Sequence, residues 1–200
     1  DSTLGGKELW FDEAIGRLNH DSRGTSLGKF DSNDSMLLVN DRGAYINLEV
    51  DLNRRFKSNE TQILEKFNSD KIISCMYYDG ELKSYFIKRF QIETLLKEKE
   101  FKFINDKKGT RLILVSSSNN VIFRFNYHSK SGSKKIKEII TSEFVGVKGW
   151  KSIGNKIPLH KRMSGFESVI LEDDTEPSTQ ETAIHEDEEQ REGDNLNLFE

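Results

Sequence analysis

The chain has one cysteine and two prolines in 200 residues, and no apolar run approaches the ~20 residues that a membrane-spanning helix needs. Cys75 cannot form an internal disulfide and sits inside an apolar run, so a reducing, cytoplasmic setting is expected. Both prolines, Pro158 and Pro177, lie late. No basic-then-apolar leader opens the sequence, so a secretion signal is not expected, and a first residue of Asp1 suggests a piece of a longer protein. Catalytic motifs are missing too. There is no Gly-x-Gly-x-x-Gly, P-loop, His-Glu-x-x-His or Gly-x-Ser-x-Gly. His20, His128, His160 and His185 are far apart, and none has a His or Cys at ligand spacing. Asp31-x-Asn33-x-Ser35 begins like a calcium loop, but Met36 replaces the required glycine and Arg42 stands where a bidentate glutamate belongs. These absences leave a catalytic site of its own, a metal centre and a membrane span without support.

What the chain does contain is a repeat. Lys29-Phe30, Lys66-Phe67 and Lys102-Phe103 recur at steps of 37 and 36 residues. A polar stretch follows each pair, then an apolar run: Met36–Val39, Ile72–Cys75 and Leu112–Val115. A turn and a second apolar run come next. Asn40-Asp41-Arg42-Gly43, Asp79-Gly80 and Asn119-Asn120 supply the turn chemistry, because Gly, Asn and Asp tolerate the positive φ of tight hairpins. Each unit therefore reads as a β-hairpin. Ile46, Leu48, Val50 and Leu52 alternate with polar residues, as do Val121, Phe123, Phe125 and Tyr127 with their neighbours, which predicts strands with one apolar face. Lys88-Arg89 interrupts Tyr85-Phe86-Ile87 and Phe90, so part of that strand is expected to face solvent. Thr94–Glu100 and Lys134–Phe144 could be helical, although the isoleucines of the second also suit a strand. Units that bury their apolar faces only against neighbours indicate an all-β, propeller-like assembly of about four units, some incomplete.

Charge divides the chain near residue 170. Residues 1–170 carry 29 Lys+Arg against 22 Asp+Glu, whereas residues 171–200 carry one Arg against 12 acids. A cationic folded body (1–170) suits a polyanionic partner, and the acidic stretch 171–200 is expected to be a disordered tail. Within the body, basic residues cluster with glycines at Gly5-Gly6-Lys7, Arg17 and Arg23-Gly24, and again at Lys148-Gly149-Trp150-Lys151 through Gly154-Asn155-Lys156. Glycine lets a backbone approach a phosphate closely, and lysine adds charge without base preference. The same glycines also serve as ordinary turn residues, and the same lysines as solubilising charge.

Ser2–Asp12, Arg17-Leu18-Asn19, Lys88-Arg89-Phe90, Arg111–Leu114 and Phe144–Lys151 together resemble the C-terminal region of the A-type chain of bacterial topoisomerase IV, Bacteroidetes type, within the gyrase A and topoisomerase IV A family. The resemblance runs from residue 1 to about 165. It implies a β-pinwheel, possessing here a partial set of blades, whose outer rim binds and bends duplex DNA and guides a segment to the cleavage core for decatenation or relaxation. It further implies a parent ATP-dependent type II DNA topoisomerase, an isomerase serving DNA topology and chromosome segregation. The cleaving tyrosine would then lie outside this chain, and the cofactors ATP and Mg would be used with the B-type chain of topoisomerase IV, leaving no cofactor here. A nucleoid-associated cytoplasmic location follows. The gyrase box Gln-Arg-Arg-Gly-Gly-Lys-Gly is matched at Gly5-Gly6-Lys7, but Ser2-Thr3-Leu4 replaces its first part and Glu8 its last glycine, so weak capture of DNA is expected rather than strong wrapping. Lys7, Arg17, Arg23, Lys148, Lys151 and Lys156 are the candidate DNA-binding residues. The end of the tail, Asn195-Leu196-Asn197-Leu198-Phe199, resembles the Gln-Leu-x-Leu-Phe peptide that docks on the bacterial sliding clamp, with Asn195 in place of Gln, which makes Leu196, Leu198 and Phe199 candidate partner-binding residues. The competing class is a propeller-like protein-docking platform that binds no DNA.

Overall fold

A computed structural model describes residues 6–158 and 161–171. The chain is built in hairpin units. Strands β1 (Lys7–Asp12) and β2 (Arg17–Asn19) form the first hairpin, and β3 (Thr25–Phe30) returns to pair with β1. The second unit repeats the plan: β4 (Met36–Asn40) pairs with β5 (Ala44–Leu48), and β6 (Thr61–Lys66) returns to β4. In the third, β7 (Ile72–Asp79) and β8 (Ser84–Gln91) form the hairpin. The chain then crosses to the preceding unit, where β9 (Glu100–Lys102) pairs with β5, before β10 (Arg111–Ser116) returns to β7. The fourth unit does the same. β11 (Val121–His128) and β12 (Lys134–Ile140) are followed by one helical turn, α1 (Thr141–Phe144). β13 (Val147–Lys148) and β14 (Asn155–Lys156) then join β8 of the third unit, and β15 (Lys161–Ile170) returns to β11.

Among the described residues the structure is thus nearly all β, in four sheets, none of them closed. A single rule generates them: each hairpin's first strand gains a partner from its own unit, and its second strand gains one from the next. The second unit obeys the rule in reduced form, since Arg55 makes one bridge to Arg17 of β2. Strand exchange of this kind makes each sheet depend on its neighbour for completion. In the fourth sheet, β12 pairs with β11 alone among the described strands.

Apolar cores fill the spaces between successive sheets. Leu9, Phe11 and Leu18 meet Met36, Leu48 and Phe56 between the first and second. Leu37, Val39 and Tyr45 meet Ile73, Cys75, Tyr77 and Phe90 between the second and third. Met76 and Ile87 meet Phe123, Phe125 and Ile139 between the third and fourth. The period-two alternation of a strand sends Met36 to one core and its neighbour Leu37 to the other, and it separates Met76 from Cys75 and Tyr77 in the same way. Unbroken apolar runs such as Met36–Val39 are the sequence trace of a sheet covered on both faces. Strands β3, β6, β10 and β15 lie innermost. Leu27, Leu64, Val115 and Ile170 from these four strands line a shared cavity of about 460 Å³.

The structure departs from several sequence expectations. Lys29-Phe30 and Lys66-Phe67 close inner strands, but Lys102-Phe103 closes the exchanged strand β9, so the third repeat lies out of phase. The runs at Leu112–Val115 and Val121–Tyr127 therefore do not form a hairpin. They fall in different sheets, and the true hairpin is β11–β12, turning through Ser129–Ser133. Strand β5 ends at Leu48, and Asn47 on its supposed solvent face is only 3% exposed because both faces are covered. Thr94–Glu100 contains no helix, and Lys134–Ile140 is strand with only Thr141–Phe144 helical. Lys88 and Arg89, expected in solvent, are buried. Residues 172–200, which hold all of the proposed acidic tail (171–200) but Leu171 and include the candidate clamp residues Leu196, Leu198 and Phe199, lie outside the described residues.

Cys75 is wholly buried on β7, and that burial pushes its thiol up to about 12 from an ordinary 9.0. Above about pH 9 the unfolded chain loses a proton that the folded chain keeps, so stability falls as pH rises. Tyr45, pushed up to about 12 from 10.0 by burial and then by Glu93, adds a second loss that begins near pH 10. Thermal melts of Cys75→Ala are expected to show a flatter decline between pH 9 and 10 than the parent. An identical decline in both would contradict the buried-thiol explanation.

Candidate nucleic-acid interface

The segment Val145–Ile157 forms the outer edge of the third sheet and carries three of the six basic candidates. It runs along β8 twice. β13 lies parallel, with Val147 opposite Arg89 and Lys148 opposite Phe90. β14 lies antiparallel, with Asn155 opposite Ile87 and Lys156 opposite Phe86. Between them Gly149–Gly154 bulges away from the ladder. Gly154 adopts φ +85°, and a Cβ there would collide with the Ile87 carbonyl, so glycine is required where the strand returns.

The bulge is held from beneath by buried donors. Lys88 is 1% exposed, and its Nζ donates to the carbonyls of Trp150 (2.7 Å), Ser152 (2.9 Å) and Phe103. Three acceptors match the three N–H donors of an ammonium. The rings of Tyr77, Phe90 and Phe103 surround the same nitrogen at 5.9, 5.5 and 5.8 Å. Burial holds the ammonium below the ordinary lysine range, with Cys75 opposing that shift. Tyr77 Oη donates to Ile153 O at 2.7 Å, and Arg89 donates to Val145 O at 3.3 Å. Trp150 plugs the bulge into the second sheet, edge-on to Tyr45 and Phe101 at 6.0 and 5.8 Å. Lys88 therefore ties together the exchanged segment, the loop after β9 and the third sheet. The sequence signal for it was present as a lysine inside an apolar strand, but the pattern could not say which face it took.

Lys148, Lys151 and Lys156 are all exposed along this edge, and Lys151 Nζ lies 5.0 Å from the Trp150 ring centroid. The neighbouring outer strand, β12, adds Lys134, Lys135 and Lys137, all exposed, with Lys130 in the preceding turn. Residues 129–137 and 144–158 hold these seven lysines and no acid. None of the seven makes an ion pair with another described residue. Glu138, the next residue along β12, is held by Arg124 at 2.8 Å. On the outer edge of the second sheet most charges are paired: Arg54 with Glu98, Arg42 with Glu100, Lys97 with Glu49 and Lys102 with Asp106, while Lys99 lies over the Phe101 ring without an ion pair to another described residue. The unpaired positive charge is thus concentrated on the third and fourth sheets.

Lys7, Arg17 and Arg23 fall elsewhere, on the first sheet, with the second sheet between them and the other three. Arg17 lies on β2 beside Arg55. Arg23 is engaged by Asp21 at 3.3 Å. The glycine beside Lys7 has an internal use, since a Cβ on Gly6 would press against the Phe30 carbonyl. The six candidates therefore form two groups. The lysines of β12 and its turn were missed because their isoleucine spacing left a helix open as an alternative.

Among the described residues no group of His, Cys, Asp and Glu could hold a metal ion, and no helix is long and apolar enough to cross a membrane. A comparison with protein families matches residues 17–163 to the topoisomerase C-terminal domain of Bacteroidota. The chain belongs to that family. The match spans β2 through the start of β15, so the topoisomerase domain includes the strand-exchanged body apart from its first strand and most of its last, and the whole lysine-bearing edge. No curated protein and no solved structure matched the chain. A topoisomerase-associated role follows from the family itself.

Proposed function

We propose that this domain grips duplex DNA non-specifically along the outer strands of its third and fourth sheets, and guides the segment to the cleavage core of a type II topoisomerase. In this reading the four strand-exchanged sheets are blades of a β-pinwheel, and the parent is the A-type chain of a topoisomerase IV, which works with an ATP-using B-type chain. The observation that carries it is the set of seven lysines without ion pairs to other described residues, in two acid-free stretches, on two consecutive outer edges. A surface of that kind attracts the phosphate backbone whatever its base sequence. A gel-shift series with linear duplex across salt concentrations tests it. Binding is expected to weaken linearly on a log–log plot with a slope near −0.9 per neutralised phosphate. Salt-independent binding, or none, would favour a protein-docking platform instead.

The acidic stretch 171–200 enters this reading as a competitor for the same lysines. Tethering keeps it at a high effective concentration near them. Truncation after residue 170 is therefore expected to tighten duplex binding severalfold at low salt, with the difference vanishing as salt screens it. Equal affinities at low salt would remove the tail from the mechanism. Docking of Leu196, Leu198 and Phe199 on the sliding clamp is proposed separately, and a clamp pull-down that is unaffected by Leu198→Ala with Phe199→Ala would refute it.

A further inference from the structure

The buried donors of the third sheet do more than anchor the outer segment, because they also fix which way its peptide groups face. Lys88 draws the carbonyls of Trp150 and Ser152 inward, and Tyr77 draws that of Ile153. The described peptides are all trans, and a trans peptide holds its N–H opposite its C=O. The amides of Lys151, Ile153 and Gly154 consequently point out of the rim. None of these three donates to another described residue. Lys156 adds a fourth: Ile157 N bonds Tyr85 O and Asn155 faces Ile87, so by ladder alternation the amide between them is directed away from β8. A Cβ on Gly149 would meet nothing within 4 Å, so approach to the bulge is open. Lys148 and Lys151 stand exposed beside these amides.

We propose that Gly149–Lys156 is a main-chain phosphate site, in which outward amides together with the Lys148 and Lys151 ammonium groups hold a phosphodiester oxygen of the duplex. Of these amides Ile153 and Gly154 are successive, while Ser152 N donates to Gly149 O; successive free N–H groups of a turn form such anion sites, and bonds from N–H to a charged oxygen are among the stronger ones. Lys88 and Tyr77 are positioning residues for it, although neither touches the ligand. The inference rests on the DNA-binding reading above and assigns part of that grip to the backbone. A grip made by lysine side chains alone would leave these amides unperturbed.

Amide spectra of the nitrogen-15-labelled chain decide the matter, titrated with a short duplex in one arm and with inorganic phosphate in the other. The resonances of Lys151, Ile153, Gly154 and Lys156 are expected to move downfield in a saturable way with duplex, and weakly with phosphate. Lys88→Met keeps every exposed lysine, yet is expected to abolish the Lys151 and Ile153 shifts and to weaken duplex binding roughly tenfold. Tyr77→Phe removes one inward donor and is expected to reduce the Gly154 shift, so it answers the question if Lys88→Met does not fold. Duplex binding by the parent chain with these four amides stationary, or with Tyr77→Phe unchanged in the Gly154 shift, would overturn the phosphate site and leave the DNA-binding reading standing. Failure of the parent chain to bind duplex would overturn the DNA-binding reading. The phosphate arm would then judge the site by itself, with stationary amides overturning it too.

Discussion

Lys88→Met is expected to lower the free energy of unfolding by about 3 kcal/mol, measured by chemical denaturation at neutral pH. Two opposed effects decide the size of the loss. Removing the ammonium relieves the cost of keeping a charge in a site that is 1% exposed. It also takes from the carbonyls of Phe103, Trp150 and Ser152 the ammonium donor that they share. An unsatisfied buried carbonyl costs about 1–3 kcal/mol, so three of them exceed what the methionine recovers by packing its similar stem among Tyr77, Phe90 and Phe103. Lys88→Ala is expected to lose more, because a cavity is added to the same three losses. A Lys88→Met variant as stable as the parent would show that desolvation of the charge outweighs its hydrogen bonds, and the outer segment would then need another explanation for its position.

The second large effect lies in DNA binding. Replacing Lys134, Lys135, Lys137, Lys148, Lys151 and Lys156 together by alanine is expected to flatten the salt slope by about one unit for each lysine that contacts a phosphate, up to about six. Affinity at moderate salt should fall by several orders of magnitude. These side chains are exposed and make no ion pairs with other described residues, so fold stability should change little. The companion variant with Lys7, Arg17 and Arg23 replaced should flatten the slope by no more than about two, because Arg23 is already engaged by Asp21. An unchanged slope in the six-lysine variant would remove the third and fourth sheets from the interface. A larger effect from the companion would move the interface to the first.

Both expectations depend on residues that the sequence presents ambiguously. Lys88-Arg89 inside Tyr85–Phe90 reads as a solvent-facing lapse, since buried ammonium groups are rare unless fully hydrogen-bonded. Its acceptors come from Phe103, Trp150 and Ser152, which are 15, 62 and 64 residues away, and no local pattern could announce them. The lysines of β12 were visible as charge, but Ile136, Ile139 and Ile140 suit a helix face as well as a strand. In the folded chain Ile136 is 66% exposed on an outer edge, which neither periodicity would suggest. Asn47 shows the converse case: its polarity marked a solvent face, yet the neighbouring sheet buries it. Position among the stacked sheets overrode local alternation in each instance.

Hairpins at β4–β5 and β7–β8, the all-β class and the cationic body were written in the sequence alone, because turn chemistry, alternation and charge act over a few residues. The shift of the third Lys-Phe pair onto β9, the burial of Lys88 and the gathering of seven lysines on adjacent edges were decided only by tertiary structure. Strand exchange is the physical reason. It pairs a segment such as Asn155-Lys156 with a hairpin some seventy residues earlier, and a backbone ladder is satisfied by N–H and C=O groups that every residue carries, so side-chain patterns hold no record of which strand will be chosen.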